Sequence, residues 1–576
     1  MRIAVIDKEK CRPDMCNHEC QRVCPINKKG DPCVTIEEKA KIDEKLCIGC
    51  GICAMRCPFK AIQIINLPEI KDGFLTHRYG INGFALYKLP IPRENFVLGL
   101  LGRNGIGKST AVKILSAKEK PNFGKFEGIE GEVKSFFKGN ELMKYFENID
   151  KKTIAYKPQN LSFLSVDLLV KDLFSQRADK ETIEKIVKKL SIENLLEKSL
   201  NKLSGGELQK IAIATTCLKN SDIYFFDEPL AYLDIEERLK VSNFIKEISE
   251  GKTIIVVEHD LLILDYLTDY LNIFYGQQGA FGLVSGLKST ASGINSYLDG
   301  FLKEENLRIR DKKLIFNFNK NPPLEGYKIA SWPSFKKEFS EGFKLEVKEG
   351  KIYSNHVYGI LGKNGTGKTT FVKSLCGLEE IEINGEKKKL DLNLKISYKS
   401  QYLPSDSEEI IRDIMFKEKI DKRLASDFNL ETLSQKKINT LSGGELQRLS
   451  IARCLAKEAD IYLIDEPSAY LDVEERISLA KTIKDFMMEK EKIAFVVDHD
   501  LLLMSYLADS VVVFSGEPGK AGKSSEVYSF EKGISELLKQ LNITLRKDKE
   551  TGRPRINKKN SVLDREQKER NEWAIF

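Results

Sequence analysis

No apolar run in this chain approaches the ~20 residues that a bilayer-spanning helix needs, so an integral protein built on such helices is excluded. A secretory signal is not expected either. The opening Met1-Arg-Ile-Ala-Val-Ile-Asp7 meets an acid before its apolar core reaches signal length, and it reads as a short strand. The expected compartment is the cytoplasm, with no membrane partner. Neither sign of charge is in great excess: 92 basic residues face 85 acidic ones, and a net +7 on 576 residues names no partner. A local surplus runs from Arg546 to Lys559 (RKDKETGRPRINKK), readable as a solvated tail or as a contact for a phosphate backbone. Cysteine nearly vanishes beyond residue 57, since nine of the twelve lie in the first 57 positions. In a cytoplasmic chain that clustering argues against disulfides and for bound metal. A length of 576 residues exceeds one hydrophobic core and calls for three or four domains.

The cysteines fall into two runs. Cys47-x2-Cys50-x2-Cys53-x3-Cys57-Pro58 has bacterial-ferredoxin spacing, in which three thiolates wrap one iron–sulfur cluster and the fourth reaches a second. Cys11-x4-Cys16-x3-Cys20-x3-Cys24-Pro25 is a looser version of the same run. Two runs imply two [4Fe–4S] clusters. The crossed pattern assigns Cys11, Cys16, Cys20 and Cys57 to one, and Cys47, Cys50, Cys53 and Cys24 to the other. Cys33 is a ninth cysteine outside that scheme. Paired zinc sites are the alternative, for which this spacing is poor.

Most of the rest is a duplication. Leu203-Ser-Gly-Gly-Glu-Leu-Gln209 recurs as Leu441-Ser-Gly-Gly-Glu-Leu-Gln447, and its small, donor-rich residues suit a helix N-terminus that receives phosphate. Upstream of each copy an apolar strand, Phe96–Leu101 in the first half, feeds a G-x-x-x-x-G-K-[ST] loop. One loop holds Gly102, Asn104, Gly105, Gly107, Lys108, Ser109 and Thr110; the other holds Gly362, Asn364, Gly365, Gly367, Lys368, Thr369 and Thr370. The glycines let backbone amides wrap phosphates, the lysine neutralises them, and the hydroxyl of Ser109 or Thr369 can ligate Mg2+. Downstream, apolar strands end in Asp227-Glu228 and Asp465-Glu466, where the aspartate can hold Mg2+ and the glutamate can polarise water. Gln159 and Gln401 are neutral side chains able to contact Mg2+ or water. His259 and His499 close strands within reach of a γ-phosphate.

Ser204 and Ser442 are 238 residues apart, as are Asp227 and Asp465, whereas Lys108 and Lys368 are 260 apart. The first half therefore carries about 22 extra residues, mostly near Gly128 to Asp150. They are expected to form two short surface helices broken at Gly139, with interleaved aromatic and basic residues suited to a partner. Gly293-Ile-Asn295 and Gly533-Ile-Ser535 open matching stretches read as hinges where the halves meet, with Ser535 replacing Asn295 in the second. Phe84 or Tyr87, and Phe343, stand where an adenine-stacking aromatic would.

Twice over and in one order, phosphate loop, glutamine, LSGGE, Asp–Glu pair, Ala-Tyr-Leu-Asp (231–234 and 469–472) and histidine resemble a tandem ABC-type ATPase. With the ferredoxin runs, the insertion and the closing Gly552-Arg-Pro-Arg-Ile-Asn-Lys558, the whole chain resembles the ribosome-recycling ATPases of archaea and eukaryotes, the RNase L inhibitor family. The fold so implied is α/β, with two tandem P-loop ATPase domains behind a ferredoxin-like α+β domain. The expected division is 1–71 iron–sulfur domain, 72–290 first nucleotide-binding domain (insertion about 128–150), 291–325 hinge, 326–530 second domain and 531–576 hinge with basic segment.

The resemblance implies a monomer whose halves pair head to tail around ATP and Mg2+. One composite site would join Lys108, Ser109, Gln159, Asp227, Glu228 and His259 with Ser442, Gly443 and Gly444. Its companion would join Lys368, Thr369, Gln401, Asp465, Glu466 and His499 with Ser204, Gly205 and Gly206. Hydrolysis would split post-termination or stalled ribosomes with a class-1 release factor or Pelota, leaving the chain on the small subunit near initiation factors. The basic hinges and insertion would contact ribosomal RNA or protein. An iron–sulfur electron-transfer protein with ATP-gated reduction of a partner is the alternative. A transporter's ATPase unit is disfavoured because it leaves the ferredoxin runs without a purpose.

Overall fold

The computed structural model describes residues 2–6, 10–43, 46–66, 74–80, 82–126, 132–164, 166–310, 313–314, 327–340, 342–401 and 407–575. The expected domain boundaries at 71/72 and 325/326, the start of the insertion and most of 311–325 lie outside these residues.

The N-terminal domain is closed by pairing its two ends. Strand Arg2–Ile6 runs antiparallel to Ile62–Asn66 with Ala4 opposite Ile64, and short helices Glu19–Val23 and Ile52–Arg56 pack between them. Each helix ends at the last cysteine of its run, which brings the two runs face to face.

In the first half, five strands lie parallel: Ile154–Lys157, Ile223–Asp227, Thr253–Val257, Val97–Leu101 and Tyr270–Gln277. Three of them (IYFFD, TIIVV, VLGLL) are buried at every position, as strands covered on both faces must be. The phosphate-loop strand starts at Val97 rather than Phe96, which is 38% exposed and packs edge-on against Tyr270. Because the strands are parallel, the phosphate loop, His259 and Asp227-Glu228 emerge at one sheet edge. This is where open α/β sheets place their ligands. The second half repeats the order with Ile396–Lys399, Ile461–Asp465, Ile493–Val497, His356–Gly362 and Ser510–Glu517.

The insertion forms helices Glu132–Phe136 and Glu141–Asn148, with Gly139 at φ 81 in the turn between them. The second half has a hairpin in that place, Glu380–Ile383 with Glu386–Lys389. The aromatic residues expected to meet a partner are turned inward instead. Phe137 and Phe146 are buried and stack at 5.1 Å, and Phe136 stacks on Phe123 at 4.1 Å. Burial of these rings is worth more than their exposure to a partner. Lys138 and Lys144 remain exposed.

For the basic C-terminal stretch the solvated-tail reading is corrected, while Lys547, Lys549, Lys558 and Lys559 remain exposed. The stretch folds as a hairpin, Leu545–Lys547 with Pro554–Ile556. Arg553 is fully buried, its guanidinium 3.2 Å from Asp265 of the first half, and Arg555 bonds the same carboxylate at 2.7 Å. Asn295 completes the joint by donating to Glu550 at 2.9 Å and accepting from Arg553 at 3.2 Å. On the other side, Arg310 and the Tyr297 hydroxyl reach Glu474 of the second half at 2.9 and 3.1 Å.

Candidate nucleotide-binding and iron–sulfur sites

Each phosphate loop leaves its strand through a glycine that no other residue could replace. Gly102 and Gly362 have φ of 158 and 143, and a Cβ there would meet the carbonyls of Phe274 and Phe514 at 2.5 and 2.4 Å. The lysines fold back into the loops. Lys108 Nζ donates to the carbonyls of Gly102 and Arg103 at 2.7 and 2.6 Å, and Lys368 to those of Gly362 and Lys363 at 3.0 and 2.7 Å. Burial lowers both ammonium groups to about 8; Asp472 opposes this most at Lys108 and Asp234 at Lys368, each from the opposite half. An incoming phosphate would supply the missing anion.

Asp465 Oδ2 accepts from the Thr369 hydroxyl at 3.0 Å, while its Oδ1 is buried without a partner. A hydroxyl beside a carboxylate is a hard-oxygen pair suited to Mg2+; in the first half Ser109 and Asp227 line the same cavity, and Asp227 Oδ2 accepts from the Tyr156 hydroxyl at 3.4 Å. Glu228 and Glu466 stand at φ 45 and 47, in the left-handed region. Gln159 Nε2 donates to Glu228 Oε1 at 2.7 Å, and Gln401 bonds Glu466 likewise. His259 and His499 place Nε2 at 3.5 and 3.8 Å from the same carboxylates. Burial, reinforced by Asp227, raises Glu228 above the usual carboxylate range; burial, reinforced by Asp465 and Asp498, raises Glu466 to about 7. Burial holds both imidazoles well below their ordinary range, so they are neutral. A carboxylate with a raised pKa is the better general base.

The halves meet head to tail. The Asn104 amide donates to Asp472 of the second half at 2.9 Å, the Asn364 amide to Asp234 of the first at 2.7 Å, and the hydroxyls of Tyr232 and Tyr470 meet at 2.8 Å. Ser204 and Ser442 cap helices Gly205–Cys217 and Gly443–Ala456 through boxes closed by Glu207 and Glu445. Ser204, Gly205 and Gly206 line one cavity of about 770 Å³ with Lys368, Thr369 and Gln401. The cavity at Lys108, about 300 Å³, is lined by first-half residues. Gly443 joins it through a central chamber of about 490 Å³ that also holds Glu228, Glu466, His259 and His499. Ser442 and Gly444 line neither of these two cavities.

Phe84 lines the first cavity with Tyr79, and Phe343 the second with Phe339. Tyr87 packs instead with Ala85, Phe281 and Leu283. Sequence reasoning missed Tyr79 and Phe339, although they lie 260 residues apart, the interval of the loop lysines. It also passed over Lys157, Lys399, Gln209 and Gln447, which bond the backbone of the Asp–Glu pairs.

The cysteines gather in two groups. Cys20 is pushed up to about 12 by burial and by Cys57, Cys11 and Cys16 around it; Cys53 to about 11 by burial and by Cys47, Cys50 and Cys24. Backbone amides of Ala4 and Ala61 donate to the sulfurs of Cys47 and Cys57, each at 3.4 Å. Among the described residues, no three His, Cys, Asp or Glu side chains close around a single ion. Two groups of four cysteines, in the run spacing described above, offer the thiolate sets that two cubane clusters take. Cys33, 1% exposed, lines the second group's cavity beside Cys24 and Cys47.

The ABC transporter family model matches residues 92–231 and 345–469. A model for a possible Fer4-like domain in RNase L inhibitor matches 1–32, and a 4Fe-4S binding domain matches 40–63. Translation initiation factor RLI1 of Saccharomyces cerevisiae is 41% identical over 98% of this chain and 97% of its own. The chain belongs to the RNase L inhibitor family. Among solved structures of the family, a model of ribosome-bound archaeal Pelota and ABCE1 superposes with TM-score 0.94 at 44% identity, over 100% of this chain and 99% of that one. A complex of archaeal ribosomal stalk protein aP1 with archaeal ribosome recycling factor aABCE1 matches at TM-score 0.81 and 41% identity, over 88% and 100%. The expected fold, tandem ABC ATPase domains behind iron–sulfur modules, is borne out. As in the rest of the family, the chain is an ATPase, and no described helix is long and apolar enough to cross a membrane.

Proposed function

We propose that the chain is an ATP-driven ribosome recycling factor. It splits post-termination or stalled ribosomes in the cytoplasm with a class-1 release factor or Pelota, and stays on the small subunit. The carrying observation is the cavity in which the LSGGE helix of one half faces the phosphate loop of the other. ATP placed there touches both lobes, so binding draws them together and hydrolysis removes the γ-phosphate that joins them. Glu228 and Glu466 polarise the attacking water, His259 and His499 donate to the γ-phosphate, and Lys108 and Lys368 neutralise it. Ser109, Gln159 and Asp227, and Thr369, Gln401 and Asp465, would hold Mg2+, which neutralises phosphate charge. The hinges 291–325 and 531–576 relay closure to the iron–sulfur domain, 1–71.

That domain carries two [4Fe–4S] clusters, one on Cys11, Cys16, Cys20 and Cys57, the other on Cys24, Cys47, Cys50 and Cys53. The crossed groups hold the two cysteine runs together as a rigid wedge. Iron and acid-labile sulfide should each approach about eight per chain; zinc without sulfide overturns the assignment. Sedimentation with ribosomes tests the function. A non-hydrolysable ATP analogue should retain the chain on the small subunit, and migration free of ribosomal particles under every nucleotide condition refutes the proposal.

A further inference from the structure

Glu228 and Glu466 occupy a left-handed conformation that a residue with a Cβ adopts only where its surroundings impose it. Those surroundings are the same in both halves. The Glu228 carbonyl accepts from Lys157 Nζ at 3.0 Å and Gln209 Nε2 at 2.5 Å; the Glu466 carbonyl accepts from Lys399 Nζ at 3.4 Å and Gln447 Nε2 at 2.6 Å. Each lysine also takes the preceding carbonyl, of Asp227 at 2.9 Å or Asp465 at 2.6 Å. On the near side, the amides of Glu228 and Glu466 donate to Val257 and Val497 at 2.9 and 2.8 Å, in the strands that lead to the histidines. All four clamping side chains are at most 3% exposed. A buried ammonium and a buried carboxamide are committed to one strained peptide, twice in one chain.

Gln209 and Gln447 end the duplicated LSGGELQ. Gly205 and Gly206, in the first turn of the Gln209 helix, line the Lys368 cavity of the opposite half, while Gln209 reaches back to the glutamate beside Lys108. One helix therefore serves both sites, by different residues.

We propose that Lys157 with Gln209, and Lys399 with Gln447, are positioning residues for hydrolysis: each pair locks the carbonyl of its own half's glutamate and so aims the carboxylate at the attacking water. The inference rests on the reading of Glu228 and Glu466 as catalytic. Its consequence runs against the motif's position, because loss of Gln209 must weigh on the Lys108 site and not on the site that its helix covers.

The test reads each site singly in the full-length, cluster-loaded protein. Glu466→Gln leaves the Lys108 site hydrolysing, and Glu228→Gln leaves the Lys368 site. Gln209→Leu and Lys157→Met, introduced into each background, should lower kcat at the Lys108 site by about tenfold or more with KM for ATP little changed, several times the loss at the Lys368 site. Gln209→Glu, which keeps the shape but presents oxygen to the carbonyl, should reproduce the loss. Gln447→Leu should mirror it at the Lys368 site, and it supplies the reading if a first-half variant does not fold. Equal losses at both sites, a heavier loss at the covered site, or a raised KM with unchanged kcat overturns the clamp. If the two glutamate variants combined leave turnover intact, the catalytic reading falls and the clamp with it; if they abolish turnover and Gln209→Leu weighs on the wrong site, the clamp alone falls.

Discussion

Lys108 and Lys368 sit almost fully buried with backbone carbonyls as their partners, beside carboxylates that burial has made reluctant to ionise. A phosphate resolves the first tension by giving the lysines an anion, and the neutral histidines stand ready to donate to it. Replacing Glu228 and Glu466 together with glutamine should cut ATP turnover by about 10² to 10⁴, the usual weight of a general base, while bound nucleotide measured by filter retention persists. The cysteines make a second residue-scale prediction. Cys57→Ser, although it alters the second run, should empty the cluster of the first run, Cys11, Cys16 and Cys20, and about halve the iron. Loss confined to the cluster of Cys47, Cys50 and Cys53 contradicts the crossing. Most of these residues were legible because their spacing carries the chemistry. Tyr79 and Phe339 were not, since an aromatic upstream of a phosphate loop looks like any core residue until the turns after strands Leu75–Arg78 and Phe335–Glu338 place it at the cavity.

The elements show where pattern reading succeeds and where it stops. Fully apolar runs such as TIIVV announced buried parallel strands, and Gly139 announced the break between the two insertion helices. The insertion's aromatic residues misled, because alternation of rings and lysines describes an amphipathic helix pair on its own core as well as a docking face. Packing decides it: Phe137 is 3% exposed. Phe137→Ala should therefore cost about 3 to 5 kcal/mol of stability, read by thermal or denaturant unfolding. Lys138→Glu with Lys144→Glu should leave stability within about 0.5 kcal/mol yet weaken small-subunit retention. Unchanged retention removes the insertion from the ribosome-facing surface.

At the scale of the molecule, the halves are tied by polar contacts at both hinges and both phosphate loops and by a shared apolar cluster. Arg553 and Asp265 have side chains 1% and 3% exposed, so the Arg553 charge relies on Asp265, which Arg555 also holds at 2.7 and 3.1 Å. Arg553→Met should destabilise the chain by about 1 to 3 kcal/mol, because it removes one of the two arginines on the buried Asp265 while Arg555 still holds both carboxylate oxygens; unfolding with denaturant measures it. The hinge was legible in the sequence but this ion pair was not, because the same arginines read as a solvated tail or a phosphate contact. The duplication was plain, but a long-range ion pair between segments 288 residues apart carries no local signal. The cavity at Lys368 includes the opposite LSGGE helix, and the one at Lys108 reaches Gly443 through the central chamber. The central claim is that closure of these composite sites is what parts a ribosome. Light scattering from ribosomes loaded with Pelota measures it directly. ATP and the wild-type chain should lower scattering as subunits separate, and Ser204→Arg with Ser442→Arg, which obstructs both closures, should abolish the change while each half still binds ATP. Splitting at an unchanged rate by that double variant would contradict the account.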